Sequence, residues 1–187
     1  MKTIIVAAAS FVFVASLFAQ EHAIDTKHST LTIHVGKTGA FSAFGHEHEI
    51  RGAIESGSAE IGAHPSVEVH VNTRALKVID KDESEKARAE VQSTMLGPEV
   101  LDSERFKEIV FKSTSAKSAG DGKWTLQGNL TLRGRTKPVT AKVTLKGSRY
   151  SGEAIVKQTD FGIKPPGKAG VRAKDEVHID FDVQLAR

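Results

Sequence analysis

The residues with the most chemistry to offer are Gly45-His46-Glu47-His48-Glu49. Two imidazoles placed two positions apart in an extended chain fall on one face, because successive strand side chains point to opposite sides. If a strand runs from here through Ile50-Arg51-Gly52-Ala53-Ile54, then His46, His48, Ile50 and Ile54 share a face. Glu47, Glu49 and Arg51 take the other. The histidines then belong to the apolar side. Three chemistries are open to them there. They can be wet or hydrogen-bonded residues at a rim. They can donate hydrogen bonds to a polar ligand group such as a quinone carbonyl. They can also ligate a metal or haem, since imidazoles two apart on a strand can share one ion. A firm metal site wants a third ligand and the sequence marks none, so no metal and no cofactor are expected, with His46 and His48 as the ligands of the alternative.

The other reactive-looking groups are weaker. Asp25, His28 and Ser29 have the residue types of a nucleophilic triad, but no strand–turn–helix elbow surrounds any serine. Gly36-Lys37-Thr38 ends like a phosphate-binding loop, yet Leu31 stands where such a loop needs glycine. The chain has no cysteine, which removes thiol chemistry, disulfides and the lipoprotein attachment residue together. An enzyme is therefore not expected. His34, His70 and His178 fall on polar faces by alternation and read as solvated surface histidines. Arg133, Arg135 and Lys137 cluster at a turn, either as a solvated turn or as a contact for anionic lipid head groups.

The elements that must position these residues are strands. Leu31, Ile33 and Val35 alternate with polar residues, as do Val67, Val69 and Val71. The same holds for Trp124, Leu126, Leu130 and Leu132, for Val139, Ala141, Val143 and Leu145, and for Val177, Ile179, Phe181, Val183 and Leu185. Each run has one apolar and one wet face, the pattern of antiparallel sheets covered on one side. Turn signals such as Gly36-Lys37-Thr38-Gly39 and Ala119-Gly120-Asp121-Gly122 separate the runs, giving about eight strands in a barrel or sandwich. Lys164-Pro165-Pro166-Gly167-Lys168 cannot pair as a strand, because proline lacks the donor. From Asp80 to about Met95 the pattern changes to helix formers with acids at the start, ended by Gly97-Pro98. One β domain with a short helical insertion is the expectation.

Lys2 followed by the apolar run Ile4–Phe18 and the small Ala19 has the build of a secretory signal peptide. Residues 1–19 are thus expected to be removed and residues 20–187 to form the domain, in the periplasm or outside the cell of a bacterium. The 187 residues are 39% hydrophobic and 26% charged with a net charge of +3, an ordinary globular balance. The basic residues are scattered among acids, so nucleic acid is not an expected partner.

Several segments then resemble the YceI-like family in order along the chain. They are Ile24-Asp25 with His28-Ser29, Phe41-Ser42-Ala43-Phe44 ahead of Ile50–Ile54, and Met95-Leu96 through Leu101-Asp102 and Phe106 into Ile109-Val110-Phe111. Asp160-Phe161-Gly162-Ile163 and Asp175-Glu176-Val177 close the series. The most specific is Gly128-Asn129-Leu130-Thr131-Leu132-Arg133-Gly134-Arg135-Thr136-Lys137-Pro138-Val139, similar to the family signature G-x-L-T-hydrophobic-x-G-x-T-x-P-V. Gln158-Thr159 departs from the family, which frequently has arginine before Asp-Phe-Gly. The resemblance implies an eight-stranded antiparallel lipocalin-like barrel enclosing a polyisoprenoid chain, such as a quinone tail or related lipid, in a non-catalytic carrier. Its implied cavity lining is His46, His48, Ile50, Val69, Phe111, Trp124, Leu126, Leu130, Val143, Phe161, Ile179 and Phe181. The partners expected are the lipid itself and a transient contact with a membrane surface, and a homodimer is compatible with the sequence. At about 0.3 kcal/mol per heavy atom, a ligand of roughly 40 carbons reaches about 12 kcal/mol without covalent chemistry.

Overall fold

The computed structural model describes residues 20–40, 42–44 and 46–186. The leader expected over 1–19 lies outside the described residues, as does Gly45. The alternating runs are strands throughout, and every pairing between them is antiparallel. In chain order they are β1 (Gln20–Ala23), β2 (Thr30–Thr38), β3 (His48–Gly52), β4 (Ile54–Ile61), β5 (Ser66–Asn72) and β6 (Lys77–Val78). After the helix α1 (Glu85–Leu96) come β7 (Glu108–Gly120), β8 (Lys123–Leu132), β9 (Arg135–Lys146), β10 (Arg149–Lys157), β11 (Gly167–Lys168) and β12 (Val171–Gln184).

The sheet has twelve strands, not the eight expected, in the order β1-β4-β5-β7-β8-β9-β10-β12-β2-β3-β6 with β11 on β12. The added strand β1, a break at Ala53 in one expected strand, and two very short strands account for the excess among the described residues. Between β1 and β2 the Asp25 carboxylate accepts the backbone N–H groups of Lys27 and His28 at 3.1 and 3.2 Å, an Asx turn that bends the chain out of the ladder. Ala53 alone separates β3, paired to β2, from β4, paired to β5 and β1. The ladder that leaves β4 through β5 and β7 thus returns through β12, β2 and β3 to the same stretch of chain, and the sheet curls into a barrel-like shell. β6 and β11 are two-residue strands, the second made by the hairpin turn at Ala169 and Gly170, both with positive φ.

The helix begins five residues later than expected, at Glu85. Ser84 is its N-cap, its hydroxyl accepting the Ala87 N–H at 3.2 Å. Asp80, read as part of the helix start, instead faces β3. Ser42–Phe44, ahead of β3, is a single 3-10 turn.

Two apolar clusters close the shell. The larger joins Leu76, Met95, Val100 and Leu101 to Leu130, Leu132, Val156, Phe161, Ile163 and Val177 beneath the helix. The smaller, Ile24, Ile54 and Val183, holds the other end with Tyr150 and Phe181 packed against it. Between them the shell is hollow.

Candidate ligand cavity

The hollow has a volume of about 1030 Å³, at the top of the roughly 300–1,000 Å³ range of small-molecule sites. Every alternating run sends its apolar side chains into it: Leu31, Ile33 and Val35 from β2, Val67, Val69 and Val71 from β5, Trp124, Leu126 and Leu130 from β8, Val139, Ala141 and Val143 from β9, and Ile179, Phe181 and Val183 from β12. Of the residues singled out in the sequence, His46, His48, Ile50, Val69, Phe111, Trp124, Leu126, Leu130, Val143, Ile179 and Phe181 line it together. Phe161 does not. It lies in the 3-10 turn Gln158–Phe161 and is 1% exposed, packed into the core cluster beneath the helix. Alternation could not place Phe161, because the strand has already ended at Lys157 and the period no longer applies.

Phe111 and Phe181 line the space without filling it, because each ring lies against a glycine. A Cβ built on Gly128 would sit 2.5 Å from the Phe111 ring, and one on Gly152 would sit 2.6 Å from the Phe181 ring. The wall therefore has a niche for each ring where any other residue would push it inward.

The polar groups gather at one end. There Lys37 lies opposite Ala173, Val35 lies between His48 and Val177, and Lys168 Nζ reaches Glu90 Oε1 of α1 at 3.6 Å. Lys37, His46, His48, Glu83, Glu90, Lys168 and Arg172 all border the cavity here, whereas Glu60 is the charged residue bordering its far part. Lys37, Glu83, Glu90, Lys168 and Arg172 were not legible in the sequence. The helix joins them through Ala87, Val91, Thr94 and Met95, which recur at helical spacing and all border the cavity.

The two histidines of the opening motif are held by carboxylates from the segment before α1. His48 Nδ1 lies 2.7 Å from Asp80 Oδ2, and Asp80 Oδ1 accepts the Glu49 N–H at 2.7 Å. The Asp80 side chain is only 5% exposed and that of His48 28%. His46 Nδ1 stands 2.9 Å from Glu83 Oε1, an ion-pair contact outside hydrogen-bonding geometry, with its ring mostly in solvent. No group of three or more histidines, aspartates or glutamates among the described residues is arranged to hold a metal ion.

The remaining motif residues brace the shell. Arg133 reaches inward, donating to the carbonyls of Gly162 at 2.8 Å and Pro98 at 2.6 Å. Arg135 packs its guanidinium over Gly162, whose φ is +71°. Opposite Gly36, the three residues Lys174-Asp175-Glu176 bulge out of the β12–β2 ladder. Gln158 Nε2 donates to the Lys174 carbonyl at 2.7 Å, and the Asp175 carboxylate accepts the Thr159 N–H at 2.9 Å and hydroxyl at 2.8 Å. The Thr159 N–H holds the Asp175 carboxyl below its ordinary value, with the hydroxyl and Lys157 adding to it. Asp25, His28 and Ser29 likewise form a turn. The Ser29 hydroxyl donates to the Asp25 carbonyl at 2.7 Å and accepts the Gln184 N–H at 3.0 Å, so it is occupied twice over.

Residues 22–185 match the model of the YceI-like domain. The chain belongs to the YceI-like family. Among curated relatives, a UPF0312 protein of Vibrio cholerae is 28% identical over 174 residues, 87% of either chain. A UPF0312 protein of Shewanella oneidensis is 29% identical over 168 residues, covering 80% of this chain and 83% of its own. Among solved structures, BcnA of Burkholderia cenocepacia superposes with a TM-score of 0.64 at 21% identity, over 88% of this chain and 99% of that one. A polyisoprenoid-binding domain from Saccharophagus degradans superposes with a TM-score of 0.55 at 10% identity, over 90% and 98%. At these identities the structures share the fold with this YceI-like chain.

Proposed function

We propose that this YceI-like protein is an exported, non-catalytic carrier that encloses the apolar chain of one isoprenoid-type lipid and holds its polar head at the α1 end of the cavity. The observation that carries this reading is the division of the lining. The body of the cavity is aliphatic and aromatic, and the histidines and nearly all the charges border one end. An amphiphile with a long tail and one polar head matches that division. A purely apolar ligand would leave the charged end without a purpose, and a small polar ligand would leave the body unfilled. The polyisoprenoid named for the Saccharophagus degradans domain is a ligand of this form, on the same fold. The expected lining set, without Phe161 and with His46 and His48 left to the head, is the contact surface for the tail.

Two side-chain arrangements support a binding role: the Ser29 hydroxyl is spent on backbone partners, and among the described residues the serine of the cavity lining, Ser66, bonds Glu60 at the far part and not the His48–Asp80 pair. Export through the leader 1–19 would place the carrier in the periplasm, where a lipid must cross water between membranes. Loading would then bring the charged end briefly against a membrane surface, with Lys168 and Arg172 toward its anionic head groups.

Trp124 is the one tryptophan and borders the cavity, so its fluorescence reports filling directly. Titrating delipidated protein with a long-chain polyprenol should shift and saturate that emission at one ligand per chain. Emission unchanged at ligand concentrations that saturate a lipid-carrier control would contradict the reading.

A further inference from the structure

We infer that the His48–Asp80 pair at the cavity mouth presents an unprotonated Nε2 and thereby selects ligands whose head group carries a hydroxyl donor. This rests on the carrier reading and specifies the chemistry of the head it accepts.

A carboxylate offers only acceptors, so the proton in the 2.7 Å contact between His48 Nδ1 and Asp80 Oδ2 belongs to the ring nitrogen. Asp80 is fixed in that orientation by its second oxygen, which accepts the Glu49 N–H at 2.7 Å, and by burial to 5% exposure. A neutral imidazole has one N–H, and here Asp80 claims it. That leaves Nε2 as an acceptor, and among the described residues nothing reaches it. The ring borders the cavity and leads the strand whose next inward residue is Ile50, so the lone pair stands where the apolar lining gives way to the charged end. His46 with Glu83 repeats the same polarity one step outward, with Nδ1 toward the carboxylate.

An acceptor at the partly open rim of an apolar cavity is satisfied by a donor and opposed by a second acceptor. A long-chain alcohol brings a hydroxyl and satisfies it. An ether, ester or quinone carbonyl in the same place brings only lone pairs. The recognition that the motif suggested, a histidine donating to a carbonyl, is thus reversed at His48 by the carboxylate behind its ring.

The test is a pair of ligands, geranylgeraniol and its methyl ether, titrated into delipidated protein well above the ordinary imidazole pKa. The alcohol is expected to bind about three- to tenfold more tightly, the range of one neutral hydrogen bond. Asp80→Asn is the informative variant. Its carbonyl can keep the Glu49 N–H while its amide donates to Nδ1, which moves the ring proton to Nε2. The preference for alcohol should then fall to about one. Nitrogen-15 spectra of the unliganded wild-type ring should place the proton on Nδ1, a reading that does not depend on how well the variant folds. A proton found on Nε2, or an alcohol-to-ether ratio that Asp80→Asn leaves unchanged, would overturn the inference while leaving the carrier intact. Failure of wild-type protein to bind either ligand would overturn the carrier reading itself.

Discussion

His70 stands on the outer wall of the sheet between two carboxylates, its Nδ1 2.7 Å from Glu108 Oε1 and its Nε2 3.1 Å from Glu68 Oε1. Glu68 is shared with Lys112, whose Nζ lies 2.8 Å away. Alternation placed His70 on the polar face, where it is, but could not see that β7 brings Glu108 alongside. The Glu108 hydrogen bond raises the His70 pKa above its ordinary value against the opposing effect of burial, and Glu68 adds to the rise. A histidine whose folded-state pKa is raised stabilises the fold fully below the unfolded value of about 6.5, and that contribution is lost as pH rises through the raised value. Wild-type protein should therefore lose stability relative to His70→Gln across the window from the ordinary imidazole value upward. Denaturant midpoints of the two proteins, measured at intervals through that window, read the difference; parallel curves would contradict the assignment. The three side chains are partly exposed, so added salt should shrink the effect.

At the scale of elements, the wall is thinned by design at two strands. Gly152 of β10 lies opposite Phe181 of β12, and a Cβ there would meet the Lys142 carbonyl at 2.1 Å as well as the ring. Gly152→Ala should cost about 1–3 kcal/mol in a denaturant melt, because backbone and ring cannot both yield, and it should weaken binding of a long tail by driving Phe181 inward. A variant as stable and as tight-binding as wild type would refute the niche. The alternating rows that make this wall were legible from the sequence, since in runs such as Leu31–Val35, Val67–Val71 and Val139–Leu145 apolar residues alternate with polar ones. The breaks were not. Asp25 ends β1 through hydrogen bonds to Lys27 and His28, and nothing in Asp25-Thr26-Lys27-His28 distinguishes that turn from a wet strand. Ala53 divides β3 from β4 only because the two halves find different partners, a fact of closure and not of local pattern. The bulge at Lys174-Asp175-Glu176 was invisible for the same reason: Gln158 and Thr159 hold it from a distant part of the chain. The family motifs, read as markers of a ligand site, are in large part such braces.

For the molecule as a whole, the open question left by the sequence was whether inward apolar rows fill a core or surround a space. Side-chain volume alone does not decide it. The paired glycines beneath Phe111 and Phe181, and the helix laid across the end instead of plugged into it, leave about 1030 Å³ unfilled. An apolar space of that size forfeits the dispersion contacts its walls would otherwise make, so a tail that fits it stabilises the fold as well as binding to it. On the proposed carrier reading, the charged end sets the direction in which the tail enters. On the carrier reading proposed above, the working protein is the chain together with one lipid. Native mass spectrometry of protein purified gently from its own host tests that claim most directly. The account predicts the chain mass plus one adduct in the range of an isoprenoid lipid, removed by organic extraction and restored by adding the extract back. A bare chain that takes up nothing from its host's lipid extract would contradict it.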